Sequence, residues 1–210
     1  YQTVFFNTEG SVAAPTAGLH FTKEVLKSLH EKNILYDFIT LNVGAGTFKP
    51  IKSNDVFEHR MHREVFTVKK SFLENLLKSI HKKKIAVGTT SVRTLESLYW
   101  LGTIEDKNEF TLEQWEIYDY MDKELPKVDE AIKNLLNKLE KRGTDILEGS
   151  TSLMIIPGYK FKLVDILVTN FHLPSSSLLL LVSAFTGEDW KRIYDYAMNN
   201  NFRFLSYGDS

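Results

Sequence analysis

An α/β fold built around a mostly parallel sheet, open or closed, is what this chain predicts, and three observations lead there. Apolar runs of strand length alternate with segments whose apolar residues recur at helical spacing. Small or hydroxyl-bearing residues stand between many of the runs, where turns and helix caps are needed. At 210 residues, 43% hydrophobic and 12% aromatic, the chain is long enough to bury a core, as one domain or as one domain with an excursion.

The elements follow in order. Thr22 is placed to cap a helix over 23–32, whose Val25, Leu26 and Leu29 line one face. A tight turn at Asn33 leads to a strand over 34–43. The glycine loop Gly44-Ala-Gly-Thr-Phe-Lys-Pro50 leaves that strand. A short strand is expected over 65–69, a helix over 71–82 and a strand over 84–88. Thr89, Thr90 and Ser91 then offer hydroxyls to cap a helix carrying Val92, Leu95, Leu98 and Tyr99. Beyond residue 152, strands are expected over 153–156 and 159–169 around a Pro157-Gly158 turn. Asn170-Phe-His-Leu-Pro174 forms a polar elbow, and the serines after it are placed to cap a helix over 178–186. A second helix over 189–199 and a short strand over 202–205 complete the pattern.

Between these runs, 102–149 carries thirteen acidic and seven basic residues, a net of −6, against +5 for the rest of the chain. Thr111-Leu-Glu-Gln114 has capping-box spacing, and 126–142 reads as a helix that Gly143 stops. The reading is an acidic helical hairpin, 102–150, inserted into an α/β body formed by 1–101 and 151–210. Cysteine is absent, which excludes disulfides, thiolate zinc sites and a cysteine nucleophile. No apolar run approaches the ~18 residues a membrane span needs, and a cytoplasmic protein is expected.

Five polar clusters carry the chemistry. Gly10 to Thr22 is built of small residues, which let backbone N–H groups approach a ligand, and it ends with His20 before a helix start. The Gly44/Gly46 loop matches neither a phosphate-binding loop nor a dinucleotide fingerprint. His59, His62 and Glu64 are metal-ligand types, but in an extended segment His59 points away from the other two. Gly88 to Ser97 places Arg93 and Glu96 three apart on one helical turn, close enough to pair. The Asn170/His172 elbow sits at a sheet edge in front of a helix, where α/β proteins bind ligands. No Gly-x-Ser-x-Gly elbow is present, which disfavours serine hydrolysis.

Six blocks, in this order, resemble the S-adenosylmethionine:tRNA ribosyltransferase-isomerase family of queuosine biosynthesis. They are Gly10-Ser-Val-Ala-Ala-Pro-Thr-Ala-Gly-Leu-His-Phe-Thr22, Val43-Gly-Ala-Gly-Thr-Phe-Lys-Pro50, Glu58-His-Arg-Met-His62, Val87-Gly-Thr-Thr-Ser-Val-Arg-Thr-Leu-Glu-Ser97, Thr169-Asn-Phe-His-Leu-Pro174 and Phe204-Leu-Ser-Tyr-Gly-Asp209. The resemblance implies an α/β body with a twisted, barrel-like sheet surrounded by helices. It implies transfer and isomerisation of the ribosyl group of S-adenosylmethionine onto a 7-aminomethyl-7-deazaguanine wobble base in tRNA. Epoxyqueuosine forms, and adenine and methionine leave. S-adenosylmethionine is substrate, no separate cofactor is expected, and the protein is expected to be a monomer or weak oligomer without a membrane partner.

The resemblance casts His20 and His172 in proton transfer, with Arg93 orienting the methionine carboxylate or a phosphate and Glu96 anchoring Arg93 or meeting the methionine ammonium. Substrate contacts fall to Thr16, Gly18, Gly44, Gly46, Thr47, His59, Arg60, His62, Thr89, Thr90, Ser91, Asn170, Tyr207 and Asp209. Family members also carry an N-terminal catalytic segment and a small β-barrel that find no counterpart here, so the chain reads as a fragment. Two rivals remain: a metal-dependent hydrolase using His59, His62 and Glu64, and an inactive RNA-binding fragment.

Overall fold

The computed structural model describes residues 16–42, 55–104, 109–205 and 208–210. Its helices are α1 (Lys23–Glu31), α2 (Lys70–Lys78), α3 (Thr89–Thr103), α4 (Val128–Arg142), α5 (Ser177–Thr186) and α6 (Asp189–Asn199), with short 3-10 turns at Thr16–His20, Val56–Glu58 and Glu116–Tyr120. The strands are β1 (Thr40–Asn42), β2 (Glu64–Lys69), β3 (Ile85–Val87), β4 (Thr111–Leu112), β5 (Ile146–Thr151) and β6 (Ile166–Val168).

The α/β class is as the sequence predicts, but the sheet is mixed rather than mostly parallel. Four strands run in the order β1-β2-β5-β4, and β3 pairs with β6 in a separate two-stranded ribbon. The β1/β2 and β2/β5 pairs are antiparallel, whereas β4/β5 and β3/β6 are parallel. Among the described residues no sheet closes on itself, and the barrel-like description is not confirmed.

Several boundaries have physical causes. Thr22 caps α1 by accepting from the Val25 N–H, and Ser176 caps α5 by accepting from Leu179. Helix α3 begins at Thr89, and its N-cap is Gly88 at φ 92°, so the three hydroxyl residues lie inside the first turn instead of capping it. Of the strand expected over 34–43, the described residues form a ladder only over Thr40–Asn42, opposite Thr67, Phe66 and Val65 of β2. Leu35 is left 76% exposed. The run over 159–169 supplies only Ile166–Val168 to a ladder, since the N–H groups of Lys162, Leu163 and Val164 all donate to the Glu96 carboxylate. Residues 153–156 and 202–205 are not strands either.

Among the described residues, the acidic segment holds the end of α3 and one further α-helix, α4, rather than a helical hairpin. Thr111 and Leu112 form strand β4 rather than a capping box, and β5, in the same segment, lies between β2 and β4 in the sheet. Gly143 ends α4 in the left-handed conformation, φ 63°. Ile132, Leu135 and Leu139 of α4 join Phe66 of β2, Leu98 and Leu101 of α3 and Leu147 of β5 in one buried cluster. Helix α4 also finishes its neighbour: Asn134 Nδ2 donates to the Gly102 carbonyl at 3.0 Å, and Lys138 Nζ donates to those of Leu101 and Ile104 at 2.8 and 2.7 Å. These groups satisfy carbonyls that the end of a helix leaves open.

Candidate functional site

The parallel pair β3/β6 sets the site. Both strands run out at the same edge, where the Gly88 N–H donates to the Val168 carbonyl at 2.8 Å. That bond holds the start of α3 beside the elbow that follows β6. The turn Thr16–His20 packs into the same corner, for a Cβ on Gly88 would lie 4.0 Å from Ala17 Cβ. Sequence blocks some 150 residues apart therefore converge.

Asn170 is the hub of the corner. Its Oδ1 accepts from Thr16 Oγ1 at 3.0 Å, and its Nδ2 stands 3.1 Å from His20 Nε2 and 3.4 Å from both the Gly208 carbonyl and Ser210 Oγ. The side chain is buried, 3% exposed, while His20 is exposed. Asp209 is held by Arg203, whose backbone N–H and guanidinium each donate to it at 2.8 Å. That pairing keeps its carboxyl below the usual range.

His172, in contrast, turns inward. Its Nε2 lies 2.9 Å from Thr169 Oγ1 and its backbone N–H donates to Tyr194 Oη at 2.9 Å. Burial without a charged partner lowers its pKa from 6.5 to about 4, so it is neutral at neutral pH. The titration near working pH that recommended it for proton transfer is absent.

Arg93 and Glu96 do not pair. Arg93 forms a buried ion pair with Glu64, to which Thr90 Oγ1 also donates at 3.4 Å. Glu96, fully buried, accepts from Tyr159 Oη at 2.7 Å and from three successive backbone N–H groups at 2.8 to 3.0 Å. Burial raises its pKa, against the lowering effect of those donors. All its acceptor sites serve the 159–164 segment, so it neither anchors Arg93 nor is placed to meet a ligand ammonium.

The His59–His62 segment is held by Gln114, which follows strand β4. Gln114 donates through Nε2 to the His59 carbonyl at 2.6 Å and accepts at Oε1 from the Met61 N–H at 2.9 Å. Arg60 and His62 are exposed, and His59 is half-buried, its pKa lowered by burial and by nearby His62. Among the described residues no three His, Asp or Glu side chains gather as metal ligands, and Glu64 is committed to Arg93. The hydrolase reading therefore has no support. Gly44, Gly46, Thr47 and Tyr207 lie outside the described residues.

Glu64 as the partner of Arg93, Gln114 as a clamp, and Tyr194 behind His172 were not assigned these roles from sequence. Each acts on a residue 22 to 55 positions away, and no spacing rule reaches that far. Among the described residues no helix is long and apolar enough to cross a membrane.

This chain resembles proteins of known sequence and structure. The chain is 43% identical over 213 residues to the S-adenosylmethionine:tRNA ribosyltransferase-isomerase of Sulfurihydrogenibium sp. strain YO3AOP1, covering all of this chain and 51% of that protein. It is 41% identical to the enzyme of the same name from Clostridium kluyveri, again over all of this chain and 51% of that protein. The chain thus spans about half the length of the curated relatives it matches. A crystal structure of S-adenosylmethionine tRNA ribosyltransferase from Thermotoga maritima superposes with a TM-score of 0.59 at 32% identity, over 92% of this chain and 49% of that one. The profile of one family, described as queuosine biosynthesis protein, matches residues 1–210. Matched over its whole length, this chain belongs to the queuosine biosynthesis protein family.

Proposed function

We propose that this chain forms one wall of an S-adenosylmethionine site and serves the transfer of a ribosyl group to tRNA. The observation that carries the reading is the meeting of Thr16–His20, the start of α3 and the Asn170 elbow at the open edge of β3/β6. A helix N-terminus there favours anions and oxygens that gain charge.

In the proposed reaction the sulfonium acidifies the C5′ hydrogens, and a base removes one to leave an ylide. Adenine departs as the ribose ring opens and is protonated on leaving. The aminomethyl group of a 7-deazaguanine wobble base adds to C4′ of the vinyl sulfonium that ring opening leaves, losing a proton. The C5′ carbanion so formed closes on the C1′ aldehyde, and the resulting alkoxide displaces methionine from C5′ to close the epoxide. Thr89, Thr90 and Ser91, in the first turn of α3, face the carboxylate or ribose of the donor. His59, Arg60 and His62 meet the tRNA, with Gln114 keeping their segment extended. Arg93 acts from behind this surface through Glu64.

Adenine release tests the reading. The chain is grafted in place of the matching half of the Sulfurihydrogenibium relative, and the chimera is incubated with S-adenosylmethionine and tRNA carrying the aminomethyl-deazaguanine base. Chromatography is expected to show adenine and methionine in equal amounts. A folded chimera that binds tRNA but releases no adenine overturns the proposal.

A further inference from the structure

Asn170 has a fixed orientation, and the chemistry of its neighbours dictates which way it points. The Gly208 carbonyl can only accept, so the amide nitrogen faces it at 3.4 Å and the amide oxygen faces the Thr16 hydroxyl at 3.0 Å. The same nitrogen then lies 3.1 Å from His20 Nε2. An amide nitrogen has no lone pair to offer, so Nε2 must be the acceptor. A neutral imidazole that accepts at Nε2 carries its proton on Nδ1.

We propose that Asn170 is a positioning residue that fixes His20 in its Nδ1-protonated tautomer, making that exposed imidazole a hydrogen-bond donor to the bound nucleoside rather than a base. The donor role rests on the reading that S-adenosylmethionine occupies this corner; the tautomer does not. For His20 to take up a proton at Nε2, it must give up the bond from Asn170 and set an N–H against an N–H. Surrendering the Nδ1 proton from the neutral ring would leave an imidazolate. The ring therefore donates a hydrogen bond to a purine nitrogen or ribose oxygen without transferring a proton. Asn170 itself, 3% exposed, touches no substrate. It does through His20 what a direct contact to the substrate was expected to do.

Long-range ¹H–¹⁵N correlation NMR of the imidazoles, in the unliganded chain at neutral pH, tests this. The His20 signals are assigned from a His20→Gln variant. The expected result is a proton on Nδ1 in the wild type and on Nε2 in Asn170→Asp, whose carboxylate can only accept. Thr16→Val, which removes only the donor to Oδ1, is expected to keep the wild-type tautomer and guards against loss of fold in the aspartate variant. A wild-type His20 protonated on Nε2, or a folded Asn170→Asp with the tautomer unchanged, overturns the proposal. Calorimetry with S-adenosylmethionine is expected to show binding weakened about tenfold in Asn170→Asp, the loss of roughly one hydrogen bond. Unchanged binding beside a switched tautomer would remove the donor role and leave the positioning role standing. No binding by the wild type would count against the site itself.

Discussion

At the scale of single residues, the described part of the site is governed by groups that are buried and held by partners within the fold. His172 is the clearest case. The fold holds its imidazole neutral down to about pH 4, while the unfolded chain takes up a proton near 6.5. Below 6.5 the unfolded state binds more protons, so stability is full above that pH and falls as the pH drops toward 4. Melting followed from pH 7.5 to 4 is expected to show this loss, and His172→Gln to flatten that part of the curve. The Glu64–Arg93 pair makes a second case. Glu64→Gln or Arg93→Met leaves one charge buried without its partner and is expected to cost about 3–5 kcal/mol in urea unfolding. The double variant Glu64→Leu/Arg93→Met removes both charges and is expected to regain most of that loss. If the single and double variants unfold alike, the two charges do not depend on each other as a buried ion pair must.

At the scale of elements, the contact of α3 with α4 depends on the absence of one side chain. A Cβ on Gly102 would sit 2.0 Å from the Ala131 carbonyl oxygen, which belongs to the rigid backbone of α4. Gly102→Ala therefore pushes the helices apart and disturbs the bonds from Asn134 and Lys138 to the end of α3. An overpacking cost of about 1–3 kcal/mol is expected in thermal or denaturant unfolding. Alanine usually stabilises a helix interior by up to about 1 kcal/mol, so the sign of the measured change separates packing from propensity.

At the scale of the whole molecule, what was legible in the sequence was local or contiguous. The helix α6 and the cap at Thr22 follow from periodicity and from one hydroxyl in the right place, and contiguous motif blocks were enough to point to the family. Strand β5 was not legible: Ile146-Leu-Glu-Gly-Ser-Thr151 mixes glycine and glutamate in an acidic stretch, and its place in the sheet is set by partners 87 residues away at the Glu64–Thr151 pair. The convergence of His20 with Asn170, 150 residues apart, depends on the β3/β6 crossover. It was expected from the resemblance but could not be built from spacing. Misread burial explains the rest, because a histidine in a polar elbow and a glutamate one turn from an arginine look available until the fold encloses them.

The long reach of β5 also has a consequence in time. The six-residue ladder between β2 and β5 cannot form until Thr151 has been synthesised, so β2, with its wholly buried Phe66 and Val68, waits for more than eighty further residues. Closing so distant a pair is slow and leaves an apolar strand unprotected on the ribosome. Yield of soluble protein should therefore depend on how quickly residues 70–151 are translated.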